Sequence, residues 1–218
     1  MAPPGLLSVY RRLRRAHGHA GWWPARTAFE VCVGAILTQN TAWSNVEKAL
    51  AVLRHRGLLS CSKLRRVPEA RLGALIRSSG VFRVKARRLR AFLDFLQAEY
   101  GGRVVRMRRE EPLVLRQKLL AVHGIGPETA DSIALYAAGQ PLFVVDAYTR
   151  RIFTRLGVLE GGESYDEVQR VFVEALPKSV ALYKDYHAQI VRLAKEACRV
   201  RPRCEVCPLT GVCAKRGV

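Results

Sequence analysis

Apolar and polar positions recur along this chain with a period near 3.6, and Gly and Pro break the pattern into segments. The periodicity predicts helices over 6–17, 27–38, 44–55, 69–78, 84–100, 112–121, 127–138, 147–156, 164–175 and 179–196. Alternating, strand-like stretches are scarce. Phe143-Val144-Val145 is apolar but too short and isolated to build a sheet, so it is expected as an extended lead-in to the next helix. The expectation is an all-α protein. No internal repeat and no low-complexity segment interrupts it.

Composition narrows what such a chain does. Its 218 residues suffice for one substantial core or two small domains. An apolar content of 49% removes disorder as the default. Lys and Arg number 37 against 18 Asp and Glu, a net charge of +19. The positive charge recurs in clusters: Arg11, Arg12, Arg14 and Arg15; Arg83, Lys85, Arg87, Arg88 and Arg90; Arg103, Arg106, Arg108 and Arg109. A solvated basic surface is the plain explanation. Clustering favours a polyanion partner bound with salt-dependent affinity. No apolar run is long enough to span a bilayer, which argues against a membrane protein. No apolar segment with a small-residue cleavage site follows the basic N-terminal residues, so no secretory signal is expected. A cytoplasmic, nucleoid-associated monomer is the expectation.

Four of the six cysteines fall near the C-terminus. Cys198, Cys204, Cys207 and Cys213 are spaced C-x5-C-x2-C-x5-C. A zinc ribbon usually shows two C-x2-C knuckles across a longer loop, and this segment has one knuckle flanked by single cysteines. Four thiolates in so short a loop suit a [4Fe–4S] cluster. Structural zinc is the main alternative, with two disulfides behind it. Cys32 sits in an apolar run and reads as core.

Residues 119–138, LLAVHGIGPETADSIALYAA, place a Gly-x-Gly turn between two apolar helices. Pro127 suits a first helical position, where its missing N–H costs nothing. Gly124 and Gly126 let the backbone approach a ligand and point amides outward, and a helix start favours phosphate. Asp146 follows the extended run and precedes the helix from Ala147. It reads either as an N-cap or as a carboxylate held beside a bound ligand.

Together, VHGIGPETAD, VVDAYTRR and the four-cysteine loop resemble the endonuclease III superfamily of helix-hairpin-helix DNA glycosylases, in order over about residues 25–213. The resemblance implies two helical domains. One is a six-helix barrel carrying the hairpin, over 25–138. The other joins residues 1–24 to 139–218 and holds the iron–sulfur loop. The active site would lie in the cleft between them, with double-stranded DNA containing a damaged base as substrate. Asp146 matches the family's catalytic aspartate. Gln39 matches the glutamine that fills the hole left by a flipped nucleotide, and Val81 matches the apolar wedge. Asn40, Lys85, Gly124 and Gly126 complete the expected DNA-binding set. Bifunctional members carry a lysine nucleophile where this chain has Glu128, and a carboxylate cannot form the imine that strand cleavage requires. Trp22-Trp23-Pro24 with LTQNTAW resembles the 3-methyladenine glycosylase III branch, in which aromatics at the positions of Trp22 and Trp43 sandwich the damaged base. Ordinary core packing is the competing role for these tryptophans.

A base inside a duplex must be flipped out before its glycosidic bond is reached. Cleavage builds positive charge on the sugar, which a nearby carboxylate stabilises. An alkylated purine is already cationic, leaves easily and is attracted to indole faces by about 0.5–2 kcal/mol per contact. The favoured expectation is therefore a monofunctional glycosylase for alkylated purines. An endonuclease III-like glycosylase and lyase for oxidised pyrimidines or mismatches is the alternative, and a non-catalytic DNA-damage binder is a third.

Overall fold

The computed structural model describes residues 3–20 and 23–218. It is helical throughout, with no strand among the described residues. No described helix is long and apolar enough to cross a membrane. The chain forms two compact units, Met1–Trp22 with Pro141–Val218 and Trp23–Gln140. Trp23 and Pro24, expected in the split domain, belong to the continuous one.

The continuous unit begins with α2 (Ala28–Leu37), whose residues from Phe29 to Leu37 are all buried. A helix that is buried on every face belongs in the middle of a core, and its one charged residue, Glu30, is paired with Arg54. Its start is fixed by Thr27, whose hydroxyl accepts from the Glu30 amide at 3.1 Å. Around it come α3 (Trp43–His55), α4 (Cys61–Arg65), α5 (Glu69–Leu75), α6 (Phe82–Tyr100), α7 (Pro112–Leu120) and α8 (Pro127–Ser132). The turn α4 escaped the periodicity because five residues are too few to show it. Helix α6 starts two residues before the expected 84 and ends at Gly101, which takes the left-handed conformation. The expected helix 127–138 is present but changes winding. It is α-helical to Ser132 and π-wound over Ile133–Ala138.

The split unit contains α1 (Leu6–His17), α9 (Ala147–Arg155), α10 (Tyr165–Ala175) and α11 (Val180–Glu196). Its core is aromatic. Phe143 stacks on Phe172 with centroids 4.2 Å apart, and Phe153, Tyr183 and Tyr186 meet them edge-on. The run Phe143-Val144-Val145 is buried and extended, as expected. Side chains of α10 take the place of a sheet partner: Gln169 Nε2 donates to the Phe143 carbonyl at 2.6 Å, and the Val145 amide donates to the Tyr165 hydroxyl at 3.2 Å. This satisfies two buried backbone groups and delivers Asp146 to the start of α9.

Helix α11 is buried without a break from Asp185 to Val191, and that stretch includes three polar residues, Asp185, His187 and Gln189. Asp185 accepts from the Tyr10 hydroxyl at 2.7 Å, Arg14 at 3.1 Å and the Ala20 amide at 3.0 Å. Gln189 donates to the Gly18 carbonyl at 2.7 Å. Both tie α1 and the residues after it to α11. The third, His187, turns to Asp146.

Candidate active site and nucleic-acid interface

Asp146 is the N-cap of α9 and forms a capping box with Thr149. Its Oδ1 accepts from the Thr149 amide at 2.7 Å and the Thr149 hydroxyl at 2.8 Å. Its Oδ2 faces His187 Nε2 at 3.5 Å. The side chain of Asp146 is 12% exposed and that of His187 7%. Burial pushes the carboxyl pKa up, but the neighbouring His187 and the Thr149 bonds outweigh it, and the net shift is downward. The result is a nearly buried carboxylate that stays ionised, with one oxygen on the helix cap and the other facing a histidine ring 3.5 Å away. The cap and the charged group are the same residue. His187 lies far along the chain from Asp146 and was not anticipated. The available signal was the run of polar residues at 185, 187 and 189 within an otherwise apolar stretch of α11.

In the continuous unit the hairpin is built as the glycines require. Gly124 has φ +81°, a left-handed conformation costly for any residue with a Cβ. Such a Cβ would also lie 2.2 Å from Arg88 Cγ, so the Arg88 side chain occupies the approach to Gly124. A Cβ at Gly126 would meet nothing within 4 Å, which leaves that side of the turn open. Buried Asp131 accepts from Arg116 Nε at 2.9 Å and holds α8 to α7. Glu128 is exposed in the first turn of α8, where the helix dipole favours a carboxylate.

Gln39 faces this hairpin. Its amide Nε2 donates to the Gly124 carbonyl at 2.9 Å and the Thr129 hydroxyl at 3.0 Å, and its Oε1 accepts from Arg88 Nη1 at 2.6 Å. Asn40 beside it is exposed with φ 50°. Val81, 63% exposed, caps the start of α6. Lys85 corrects the expectation that it contacts DNA. It is fully buried, and its ammonium donates to the Leu37 carbonyl at 2.7 Å, Thr41 Oγ1 at 2.6 Å and the Ser79 carbonyl at 2.6 Å. A charge taken out of water needs such acceptors, and those acceptors join the loop carrying Gln39 and Asn40 to the loop before Val81.

Trp43 packs edge-on against Trp23, centroids 5.6 Å apart, and Trp23 packs on Tyr136 at 4.9 Å. Gly34 faces both indoles, and a Cβ there would meet each at 3.5 Å, an ordinary van der Waals contact. Trp22, expected opposite Trp43, lies outside the described residues. The aromatic neighbour that the structure gives Trp43 is Trp23, one position later.

Cys198, Cys204, Cys207 and Cys213 are free thiols lining one small pocket, with Ile152, Leu156, Leu193 and Leu209 among the apolar walls. Among the described residues no three His, Cys, Asp or Glu side chains gather to hold a single metal ion. Four thiols around one apolar cavity match the donor set of a [4Fe–4S] cube. The cysteine loop is fastened to α9: Arg151 donates to the Cys198 carbonyl at 2.9 and 3.0 Å, and Arg155 donates to the Arg199 and Val200 carbonyls at 2.6 and 3.0 Å. One helix therefore carries Asp146 at its start and braces the cysteine loop at its end.

Residues 33–178 match the model of the HhH-GPD superfamily of base excision DNA repair proteins. A Methanocaldococcus jannaschii protein, provisionally named a DNA repair glycosylase, is 44% identical over 97% of this chain and 96% of its own. Endonuclease III in a non-covalent complex with DNA superposes with a TM-score of 0.83, at 24% identity, over 96% of this chain and 94% of that one. The 3-methyladenine DNA glycosylase of H. pylori bound to 1,N6-ethenoadenine gives a TM-score of 0.76 at 27% identity, over 87% and 96%.

Proposed function

Given that the chain belongs to the HhH-GPD superfamily and is a base excision repair DNA glycosylase, we propose that it is monofunctional and hydrolyses the N-glycosidic bond of a flipped alkylated purine such as 3-methyladenine. The observation that carries this reading is the pair Glu128 and Asp146. A carboxylate stands where bifunctional members of the family place their amine, while the catalytic aspartate is present, nearly buried and held ionised. An amine is needed to attack the sugar and keep the DNA as an imine, and Glu128 has none. Asp146 supplies what hydrolysis requires. Its charge stabilises the cation that develops on the sugar, and its position suits it to orient the attacking water. His187 faces the second carboxylate oxygen at 3.5 Å.

Substrate preference rests on the aromatic group at Trp23, Trp43 and Tyr136. Indole and phenol faces attract a cationic base, and a base that leaves readily needs no strong acid. The similarity to a glycosylase seen with an etheno-modified adenine supports the same class.

The test is a panel of duplexes carrying 3-methyladenine, 1,N6-ethenoadenine, an oxidised pyrimidine or a mismatch, each assayed with and without hot alkali and with borohydride. The expected result is release of alkylated purines, nicking only after alkali, and no borohydride-trapped adduct. Efficient trapping would establish a lyase and make the oxidised-pyrimidine alternative the correct one.

We further propose that Cys198, Cys204, Cys207 and Cys213 hold a [4Fe–4S] cluster, which when bound would cross-link the loop fastened to α9. Purified protein is expected to contain iron and inorganic sulfide in equal amounts, about four of each per chain. Stoichiometric zinc without iron would refute the assignment.

A further inference from the structure

An open cleft of about 520 Å³ lies between α3, α5 and the short 3-10 turn Arg77–Ser79. Lys48, Arg56, Arg71 and Arg77 line it, together with Val52 and Ser78, and no carboxylate does. Lys48, Val52 and Arg56 are spaced four apart, so one face of α3 and its cap presents them together. All four cations are exposed. None of them is in an ion pair among the described residues, whereas Arg54, Arg65 and Arg116 elsewhere in the same unit are paired with Glu30, Asp94 and Asp131 respectively. Like charges gathered in a concavity without counter-charge repel one another and concentrate anions there.

The cleft adjoins the loop of the expected wedge. Ser78, on its wall, donates to the Asn45 carbonyl at 3.0 Å and stands shortly before the exposed Val81. On the far side of Arg77 a second groove continues the positive surface with Arg83 and Arg87, relieved only by Glu69. A single small anion would engage one or two of these cations. A duplex repeats a phosphate at every step, so it can meet a row of them.

We propose that this cleft binds the phosphate backbone of the duplex flanking the lesion and extends the footprint of the protein beyond the wedge loop. The proposal rests on the glycosylase reading for the placement of the lesion. It concerns the length of DNA engaged and leaves the chemistry unchanged.

The experiment compares the wild type with the triple variant Lys48→Gln/Arg56→Gln/Arg71→Gln. Arg77 is kept because its guanidinium packs 6.0 Å from the Phe82 ring centroid. One duplex has roughly five base pairs on either side of the lesion. Two others extend either flank to about fifteen, each base pair adding about 3.4 Å. On one extended duplex the wild type is expected to gain affinity over the short one. The triple variant is expected to lose that gain, and its slope of log affinity against log salt should fall by about 2–3, near 0.9 per phosphate contact removed. It should retain the wild-type affinity for the short duplex and an unchanged thermal melt. Equal losses on short and extended duplexes would overturn the proposal in favour of a general field. No loss on any duplex would overturn it too, and would leave the cleft to a different anionic partner. If the wild type excised no base from any duplex while the length-dependent loss persisted, the glycosylase reading would fail and the cleft assignment would stand.

Discussion

Asp146→Asn is expected to reduce base excision by a factor of about 10² or more, the order seen when a group that stabilises developing charge is removed. The substitution is chosen because Asn is as good an N-cap as Asp. It preserves an oxygen to accept from the Thr149 amide and hydroxyl, so α9 keeps its start and the fold should survive. What disappears is the negative charge whose second oxygen faces His187. Duplex affinity should change little, because the hairpin and the basic surface are untouched. Stability gives a separate check on that charge. The folded carboxyl pKa is shifted below its ordinary 3.8, so its contribution is fully present above that value and fades as pH falls through the lower, folded one. The stability difference between wild type and Asp146→Asn should therefore shrink as pH falls below the ordinary carboxylate value of 3.8. Excision rates close to wild type in Asp146→Asn would reduce Asp146 to a helix cap and remove the centre of the proposed mechanism.

How much of this was legible beforehand depended on whether the signal was local. Helices with a clear apolar stripe and a cap could be read directly, since Ser164 with Glu167 and Glu111 with Pro112 mark their own starts. The extended lead-in to Asp146 was legible for the same reason. The change to π winding after Ser132 was not, because it leaves no mark in a six-residue apolar run. Charge was misleading in the other direction. The cluster at residues 83–90 looked like one basic surface. The fold disperses it: Lys85 goes into the core, Arg88 goes to Gln39, Arg90 donates to the carbonyls of Arg65 and Val67, and only Arg83 and Arg87 remain fully exposed. The unpaired basic cleft is instead assembled from Lys48, Arg56, Arg71 and Arg77, which no window of sequence brings together. Partnerships across the chain, such as Asp146 with His187, are likewise products of packing.

Lys85→Met is expected to be the most damaging change away from Asp146. The methionine fills similar volume, but the Leu37 carbonyl, the Thr41 hydroxyl oxygen and the Ser79 carbonyl lose the donor they share. The Thr41 hydroxyl still donates to the Ser79 carbonyl at 2.7 Å, so one of the three retains a partner. Each acceptor left buried without a donor costs about 1–3 kcal/mol, which sets the expected loss near 3 kcal/mol after allowing for the charge that no longer has to be buried. In a chain of this length that corresponds to a fall in Tm of about 6–12 °C. The pH dependence follows from the same geometry. Burial and the neighbouring Arg88 guanidinium bring the ammonium pKa from 10.5 down to about 8. The cost of burying the charge is thus fully felt below pH 8 and is relieved as pH rises from 8 toward 10.5, because the unfolded chain then binds the proton that the folded chain has released. The stability advantage of the wild type over Lys85→Met should widen across that window. Function should suffer separately from stability. Lys85 joins the loop bearing Gln39 and Asn40 to the loop before Val81, and these are the residues expected to enter the duplex. At a temperature where the variant remains folded, affinity for lesion DNA should drop about tenfold, or 1.4 kcal/mol, with a much smaller change for undamaged duplex. Equal losses on the two DNAs would mean that Lys85 supports the barrel alone and does not set the spacing of its DNA-facing loops.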